Sequence, residues 1–180
     1  MNVNECITSR RSIRKYKPDP VDHSLIESIV SMASYSPSWK NTQITRYIAV
    51  DGEKKEQIAD SCAEMFANNG VIIKNAPVLM VLTYIKGRSG YERDGSFTTS
   101  KGDRWQMFDA GIASQSFCLA AYEQGLGSVI LGIFDDAKVA SILEIPENQE
   151  VAALIAVGYP DEEPAAPKRK PVADLLSFIH

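Results

Sequence analysis

The chain has 180 residues, of which 44% are hydrophobic and 23% are charged, and its formal net charge is −4. This length and composition fit a single domain, 1–180, with an ordinary buried core, and no apolar run is long enough to span a membrane. The net negative charge argues against general nucleic-acid binding.

The first half of the chain predicts two helices and two strands. They are a helix at 23–35, a strand at 45–50, a helix at 53–66 and a strand at 77–85. Asp22 is expected to cap the first helix. The second helix is expected to bury Ile58, Cys62, Met65 and Phe66 on its apolar side and to stop at Asn68-Asn69-Gly70.

The second half begins with 86–102, a stretch without a clear period that is either a lid or a disordered insert. The predicted elements after it are a helix at 104–124, a strand at 128–134, a short helix before Pro146, a strand at 151–159 and an extended tail at 161–180. Asp103, Asp135 and the Gly125-Leu126-Gly127 turn are expected to bound the helices. Strands mixed with helices predict an α+β or α/β sandwich.

The helix at 104–124 is apolar around most of its circumference, so it should be buried on all sides. Either a partner subunit covers one side or the helix is central within one subunit.

Several kinds of catalytic device are absent from the sequence. Gly125 and Gly127 begin a dinucleotide-binding motif, but Ile130 stands where its third glycine belongs, and no P-loop is present. The two histidines, His23 and His180, are too few for a multi-histidine metal site or a serine–histidine–aspartate triad. We therefore expect no metal, and a bound cofactor that carries the chemistry.

The three cysteines, Cys6, Cys62 and Cys118, are far apart and form no Cys-x-x-Cys pair. Reduced thiols, together with the lack of a signal-peptide pattern at the start of the chain, predict a cytoplasmic protein.

Two basic clusters lie near opposite ends of the chain. Residues 10–17 hold five cations, and Lys168, Arg169 and Lys170 form the second cluster. Arg10, Ser12 and Arg14 alternate, so an extended segment would point them to one side as a phosphate clamp. A solvated basic surface is the alternative.

Five segments in order resemble the flavin-dependent nitroreductase family. They are Arg10-Arg11-Ser12-Ile13-Arg14-Lys15-Tyr16, Pro37-Ser38-Trp39-Lys40-Asn41-Thr42-Gln43, Gly125-Leu126-Gly127-Ser128, Leu131-Gly132-Ile133-Phe134, and Gly158-Tyr159-Pro160 with the later Arg169-Lys170-Pro171. The resemblance covers almost the whole chain. It departs at Gln43-Ile44-Thr45, where the family often continues Gln-Pro-Trp, and at Trp39, a variable position that either stacks on the flavin or packs at an interface.

The resemblance implies an FMN site shared between two subunits. Arg10, Arg11, Ser12, Arg14, Lys168 and Arg169 would hold the phosphate and ribityl chain, while Leu131, Gly132 and Ile133 would place backbone groups near the flavin ring. Pro37, Ser38, Trp39 and Asn41 would come from the other subunit. These residues are expected to bind the cofactor, and no catalytic residue is assigned.

The fold implied is an α+β, three-layer α/β/α sandwich with a central mixed, mostly antiparallel sheet and a long central dimer helix. The activity implied is hydride transfer from NAD(P)H through FMN to nitroaromatic, quinone or related small electrophiles by a ping-pong mechanism. The partners implied are a second subunit, NAD(P)H and a small-molecule oxidant. Two alternatives are a non-catalytic flavin-binding or storage protein, and a nucleic-acid module with strongly salt-dependent affinity.

Overall fold

The computed structural model describes residues 2–180. The helices are α1 (Val3–Ser9), α2 (His23–Ala33), α3 (Gly52–Met65), α4 (Ala67–Asn75), α5 (Arg104–Glu123) and α6 (Asp136–Leu143). The strands are β1 (Thr45–Val50), β2 (Val78–Ile85), β3 (Gly127–Leu131) and β4 (Gln149–Gly158), and single 3-10 turns lie at Trp39–Asn41 and Val172–Asp174. No helix among residues 2–180 is long and apolar enough to cross a membrane.

The four strands form one sheet in the order β1-β2-β4-β3, and every pair is antiparallel. A single parallel bridge joins Ser12 to Ser128 and adds the N-terminal segment at the β3 edge. The two central strands are buried almost throughout, as their apolar sequences predicted.

Helices cover both faces of the sheet. Alternate residues of β2 point to opposite sides, so that Leu79 and Val81 belong to one hydrophobic cluster and Val78 and Met80 to another. The first cluster packs under α3, α4 and α6, and the second packs under α2 and α5. This arrangement confirms the predicted α+β, three-layer sandwich with a mostly antiparallel sheet.

Local capping explains where several helices begin and end. Asp22 Oδ1 accepts from the Ser24 N–H at 2.7 Å, and Asp135 Oδ1 accepts from the Lys138 N–H at 2.9 Å. Gly125, with φ of 80°, follows the end of α5. The prediction that Asp103 caps α5 was wrong, because its side chain makes no capping hydrogen bond.

The largest correction concerns Asn68-Asn69-Gly70. These residues do not stop a helix but lie inside α4, which follows α3 after Phe66. A Cβ on Gly70 would lie 2.6 Å from Ala63 Cβ and 2.7 Å from Ala59 O, so the glycine allows α3 and α4 to pack closely. Met65 and Phe66, predicted to be buried, are 55% and 46% exposed because the chain turns there.

Three smaller differences remain. Helix α1 has no counterpart among the predicted elements, β3 ends at Leu131 instead of residue 134, and α2 ends at Ala33 instead of residue 35. The 86–102 segment contains turns and no helix, but Ser89 is fully buried in it and Tyr91 pairs with Phe97. It therefore folds against α5 and is not a disordered insert.

Candidate functional site

The two basic clusters meet around one cavity. Backbone bonds from Ile13 N to Ser128 O (3.0 Å) and from Lys17 N to Tyr159 O (2.9 Å) hold the N-terminal segment against the ends of β3 and β4. The chain leaving β4 returns along it, with Asp161 N donating to Lys15 O at 3.0 Å. The resulting cavity, about 470 Å³, is lined by Arg10, Arg11, Ser12, Arg14, Pro164, Ala165, Pro167 and Arg169.

The arginines of this cavity differ in what they already bind. Arg11 Nη1 donates to Thr8 O (2.8 Å) and Arg10 O (2.9 Å), so it closes the end of α1. Arg10 Nε is buried without a hydrogen-bond partner among residues 2–180, and so is the hydroxyl of Ser128, the bridge partner of Ser12. A buried donor without an acceptor is costly, and a phosphate oxygen would satisfy it. The residues present therefore fit a phosphate group.

Glu162 is a neighbour of this cluster that the sequence did not single out. Its Oε1 accepts from the backbone N–H groups of Arg14 (2.5 Å) and Lys15 (3.2 Å). The carboxylate thereby fixes the start of the tail beside the arginines. Lys168, by contrast, is exposed and does not line the cavity.

Pro37 and Ser38 line a different cavity, of about 330 Å³. Its lining residues are Val30, Ala33, Ser34, Ser36, Pro37, Ser38, Gln43, Thr45, Arg46, Tyr47, Asp109 and Ala113. Trp39 and Asn41 are outside this lining, and the Trp39 ring lies 4.6 Å from the Trp105 ring between centroids. The two cavities share no lining residue, so one chain does not bring the two predicted groups together.

Tyr47 and Arg46 form part of the wall of the second cavity. Burial raises the pKa of Tyr47 to about 12, and its hydroxyl donates to Ala113 O at 3.2 Å. Tyr47 therefore remains a protonated, hydrogen-bonded wall residue at neutral pH. Arg46 Nη1 donates to Gln43 O and Thr45 O, which closes the loop before β1.

The third predicted group lies at the end of β3. Leu131 is buried, whereas Gly132 and Ile133 are exposed. A Cβ on Gly132 would meet nothing within 4 Å, so its backbone faces open space that a ligand could approach. Asn69 Nδ2 donates to Ile133 O at 3.0 Å and steadies this turn. Among residues 2–180, no group of three His, Cys, Asp or Glu side chains is arranged to hold a metal ion.

Comparisons with known proteins identify the family of the chain. The model of the Nitroreductase family matches residues 7–159. The solved structure of an FMN-dependent nitroreductase from Clostridium difficile R20291 is 30% identical, covers 92% of each chain and superposes with a TM-score of 0.74. An NADH dehydrogenase from Thermus thermophilus is 30% identical and aligned over 96% of this chain and 93% of its own length.

A third relative is the NADPH-flavin oxidoreductase of Vibrio harveyi, which is 28% identical over 94% of this chain and 70% of its own length. The family match spans both the arginine segment and the Pro37–Gln43 segment, in one chain with the expected sandwich fold. The chain therefore belongs to the nitroreductase family.

Proposed function

We propose that the protein is an FMN-dependent oxidoreductase that takes a hydride from NADH or NADPH and reduces nitroaromatic, quinone or related small electrophiles. The observation that carries this proposal is the arginine cavity, which Arg10, Arg14 and Arg169 line from opposite ends of the chain. The buried Arg10 Nε has no hydrogen-bond partner within residues 2–180. Relatives named for FMN, flavin and NADPH support it.

FMN, when bound, supplies the hydride acceptance and electron transfer. The chain's own residues would bind and orient it: Arg10, Arg14 and Arg169 by hydrogen bonds and charge at the phosphate, and Gly132 and Ile133 by exposed backbone groups beside the ring. Because the sequence has no dinucleotide-binding motif, we propose that donor and oxidant use one pocket in turn, which gives ping-pong kinetics.

We further propose that the protein is a homodimer with its flavin sites at the subunit interface. The arginine cavity and the Pro37–Ser38 cavity are separate within one chain. Helix α5 leaves Met107 and Phe108 50% and 58% exposed, which is unusual for large apolar side chains on a central helix. A second copy covering α5 could bring one chain's loop to the other chain's arginines.

The cytoplasm is the compartment we propose, because all three cysteines are free and buried. We favour a flavin over a nucleic acid at the arginine cavity, since the segment 10–17 offers only Tyr16 for base stacking.

The decisive experiment is a visible absorption spectrum of the purified protein, followed by anaerobic addition of NADH and, separately, NADPH. A yellow protein that bleaches with either donor is the expected result. A yellow protein that stays oxidised with both donors would favour a flavin-binding or storage protein. A colourless protein that takes up no added FMN would contradict the proposal.

A further inference from the structure

A buried carboxylate on α5 connects two segments that the sequence left unrelated. Asp109 is only 3% exposed, and both of its oxygens lie 3.1 Å from the backbone N of Trp39. Its Oδ2 also accepts from Ser89 Oγ at 2.6 Å. Ser89 is fully buried and lies 2.7 Å from Thr42 Oγ1. One carboxylate therefore contacts both the loop 37–43 and the segment 86–102.

The loop 37–43 needs such an anchor because its backbone is strained. Lys40, Asn41 and Gln43 have φ of 45°, 55° and 49°, in the left-handed region that residues other than glycine seldom occupy. Such conformations persist only where surrounding contacts hold them. Within the loop, Ser38 Oγ accepts from Gln43 N at 3.0 Å, and the contact with the protein core is made by Asp109.

The segment 86–102 is held against the same loop by further contacts. Lys40 Nζ pairs with Glu92 Oε1 at 3.2 Å. Trp105, which contacts Trp39, also lies against Gly90: a Cβ there would be 3.2 Å from Trp105 Cδ1. The Lys40–Glu92 pair is exposed and contributes little, so the main polar connection between the loop and the segment is the buried Ser89 hydroxyl, which contacts both Thr42 of the loop and Asp109 of α5.

We propose that Asp109 is a positioning residue, which holds the loop 37–43 and the segment 86–102 as one unit against α5 and so shapes the wall of the flavin and substrate pocket. This role rests on the proposed function, since Pro37 and Ser38 serve that pocket only if the flavin site is formed as described. Asp109 also lines the cavity to which Pro37 and Ser38 contribute.

The chemistry of the site explains why a carboxylate stands here. An ionised carboxylate offers acceptors only, and both donors that reach it, an amide N–H and a hydroxyl, need acceptors. Asparagine could still accept from Trp39 N through its carbonyl oxygen and donate to Ser89, whose hydroxyl can turn to Thr42. Alanine would leave the Trp39 N–H without an acceptor. Asp109→Asn is thus the conservative variant, and Asp109→Ala is the disruptive one.

The test compares Asp109→Ala, Asp109→Asn and Ser89→Ala with Ser114→Ala as the control. Ser114 is also buried on α5, but within the described part of the chain its hydroxyl bonds only to Ala110 O, one turn earlier. Trp39 and Trp105 are the chain's two tryptophans, so near-ultraviolet circular dichroism reports their pairing directly. Hydrogen exchange of the Trp39 amide reports the Asp109 bond. Both can be measured without flavin.

We expect Asp109→Ala to speed Trp39 amide exchange about tenfold or more, since a hydrogen bond to a charged acceptor is lost. Its tryptophan dichroism should weaken, its FMN dissociation constant should rise and its KM for the oxidant should rise. Asp109→Asn should keep most of the wild-type value of each of these four properties. Ser89→Ala should change them in the same direction as Asp109→Ala but by less, and Ser114→Ala should match the wild type.

Unchanged Trp39 exchange and dichroism in both Asp109→Ala and Ser89→Ala would overturn the anchoring role. A released loop with unchanged FMN affinity and KM would overturn the positioning role. If the wild type binds no FMN, the proposed function fails and the link to the pocket fails with it, whereas the exchange measurement still decides whether Asp109 anchors the loop.

Discussion

Arg10 and Arg11 are adjacent and chemically identical, but their guanidinium groups have different hydrogen-bonding environments in the fold. Arg11 uses Nη1 on two carbonyl oxygens at the end of α1. Arg10 keeps a buried Nε without a partner among the described residues, beside the cavity that Arg14 and Arg169 also line. The buried Arg10 Nε can therefore donate to a bound anion, whereas the Arg11 guanidinium already donates to carbonyl groups at the end of a helix and has fewer donors left for a phosphate.

Replacing Arg10 with alanine should therefore weaken FMN binding about tenfold or more, because a charge-assisted hydrogen bond to the phosphate is lost. Arg11→Ala should mainly reduce the helicity and stability of α1. Fluorescence titration of the apoprotein with FMN measures the first effect. Lys17→Ala is the control, since Lys17 belongs to the same basic run but is exposed and outside the cavity lining. Equal affinities for Arg10→Ala and Lys17→Ala would refute the assignment.

At the scale of elements, Tyr16 fastens the N-terminal segment to β4. Its single hydroxyl donor lies within hydrogen-bond distance of both Ile13 O and Ala156 O, and the ring is buried. Burial, with Glu162 nearby, raises the pKa of Tyr16 far above its ordinary value. The native protein thus keeps the phenol neutral where the unfolded chain would ionise it. Its stabilising contribution is complete below about pH 10 and is lost as the pH rises above that value.

Tyr16→Phe should lower the free energy of unfolding at neutral pH by about 1–3 kcal/mol, because the Ile13 and Ala156 carbonyl groups lose the buried hydroxyl donor that they share. Above about pH 10, the free energy of unfolding should fall less steeply for this variant than for the wild type. The reason is that phenylalanine cannot ionise in the unfolded chain, as Tyr16 does. Urea unfolding across that pH range measures both effects. Tyr35→Phe is the control, as Tyr35 is 89% exposed. If the free energy of unfolding fell equally steeply above about pH 10 in the wild type and in Tyr16→Phe, Tyr16 would not be the source of this pH dependence.

The elements also show which parts of the fold the sequence could predict. Periodic apolar residues predicted the strands and most helices, because those patterns directly reflect burial. They did not predict α4, because Asn68-Asn69-Gly70 is a stop signal in isolation, and only the close approach of α3 makes Gly70 favourable within a helix. Tertiary packing outweighed local propensity there.

The candidate site also has one part that the sequence predicted and one part that it did not. The basic clusters were predictable, because arginine and serine side chains can be recognised as phosphate donors from the sequence alone. The fold brings Arg10, Arg14 and Arg169 to one cavity. Asp109 was not predictable, because an aspartate within an apolar helix gives no sign of its partners. Its partners, the Trp39 amide and Ser89, lie 70 and 20 residues away in sequence.

At the scale of the whole molecule, α5 is incompletely covered. One side packs on α2 and the sheet through Phe117, Cys118 and Ala121. The other side presents Met107 and Phe108 to solvent, so the helix is not buried all round within one chain. The tail adds exposed apolar groups, with Phe178 and Ile179 at 77% and 94% exposure. Both features are expected of a protomer whose remaining contacts belong to a second copy.

Phe108→Asp should therefore convert the proposed dimer to a monomer, since a charge would be buried in its apolar interface. Sedimentation velocity gives the mass of the species, and flavin content per chain reports the completeness of the site. Phe66→Asp is the matched control: Phe66 is 46% exposed at the turn between α3 and α4, away from α5. We expect Phe66→Asp to stay dimeric and flavin-bound, and Phe108→Asp to lose both properties together. A Phe108→Asp monomer that keeps full flavin content would show that each site is complete within one chain.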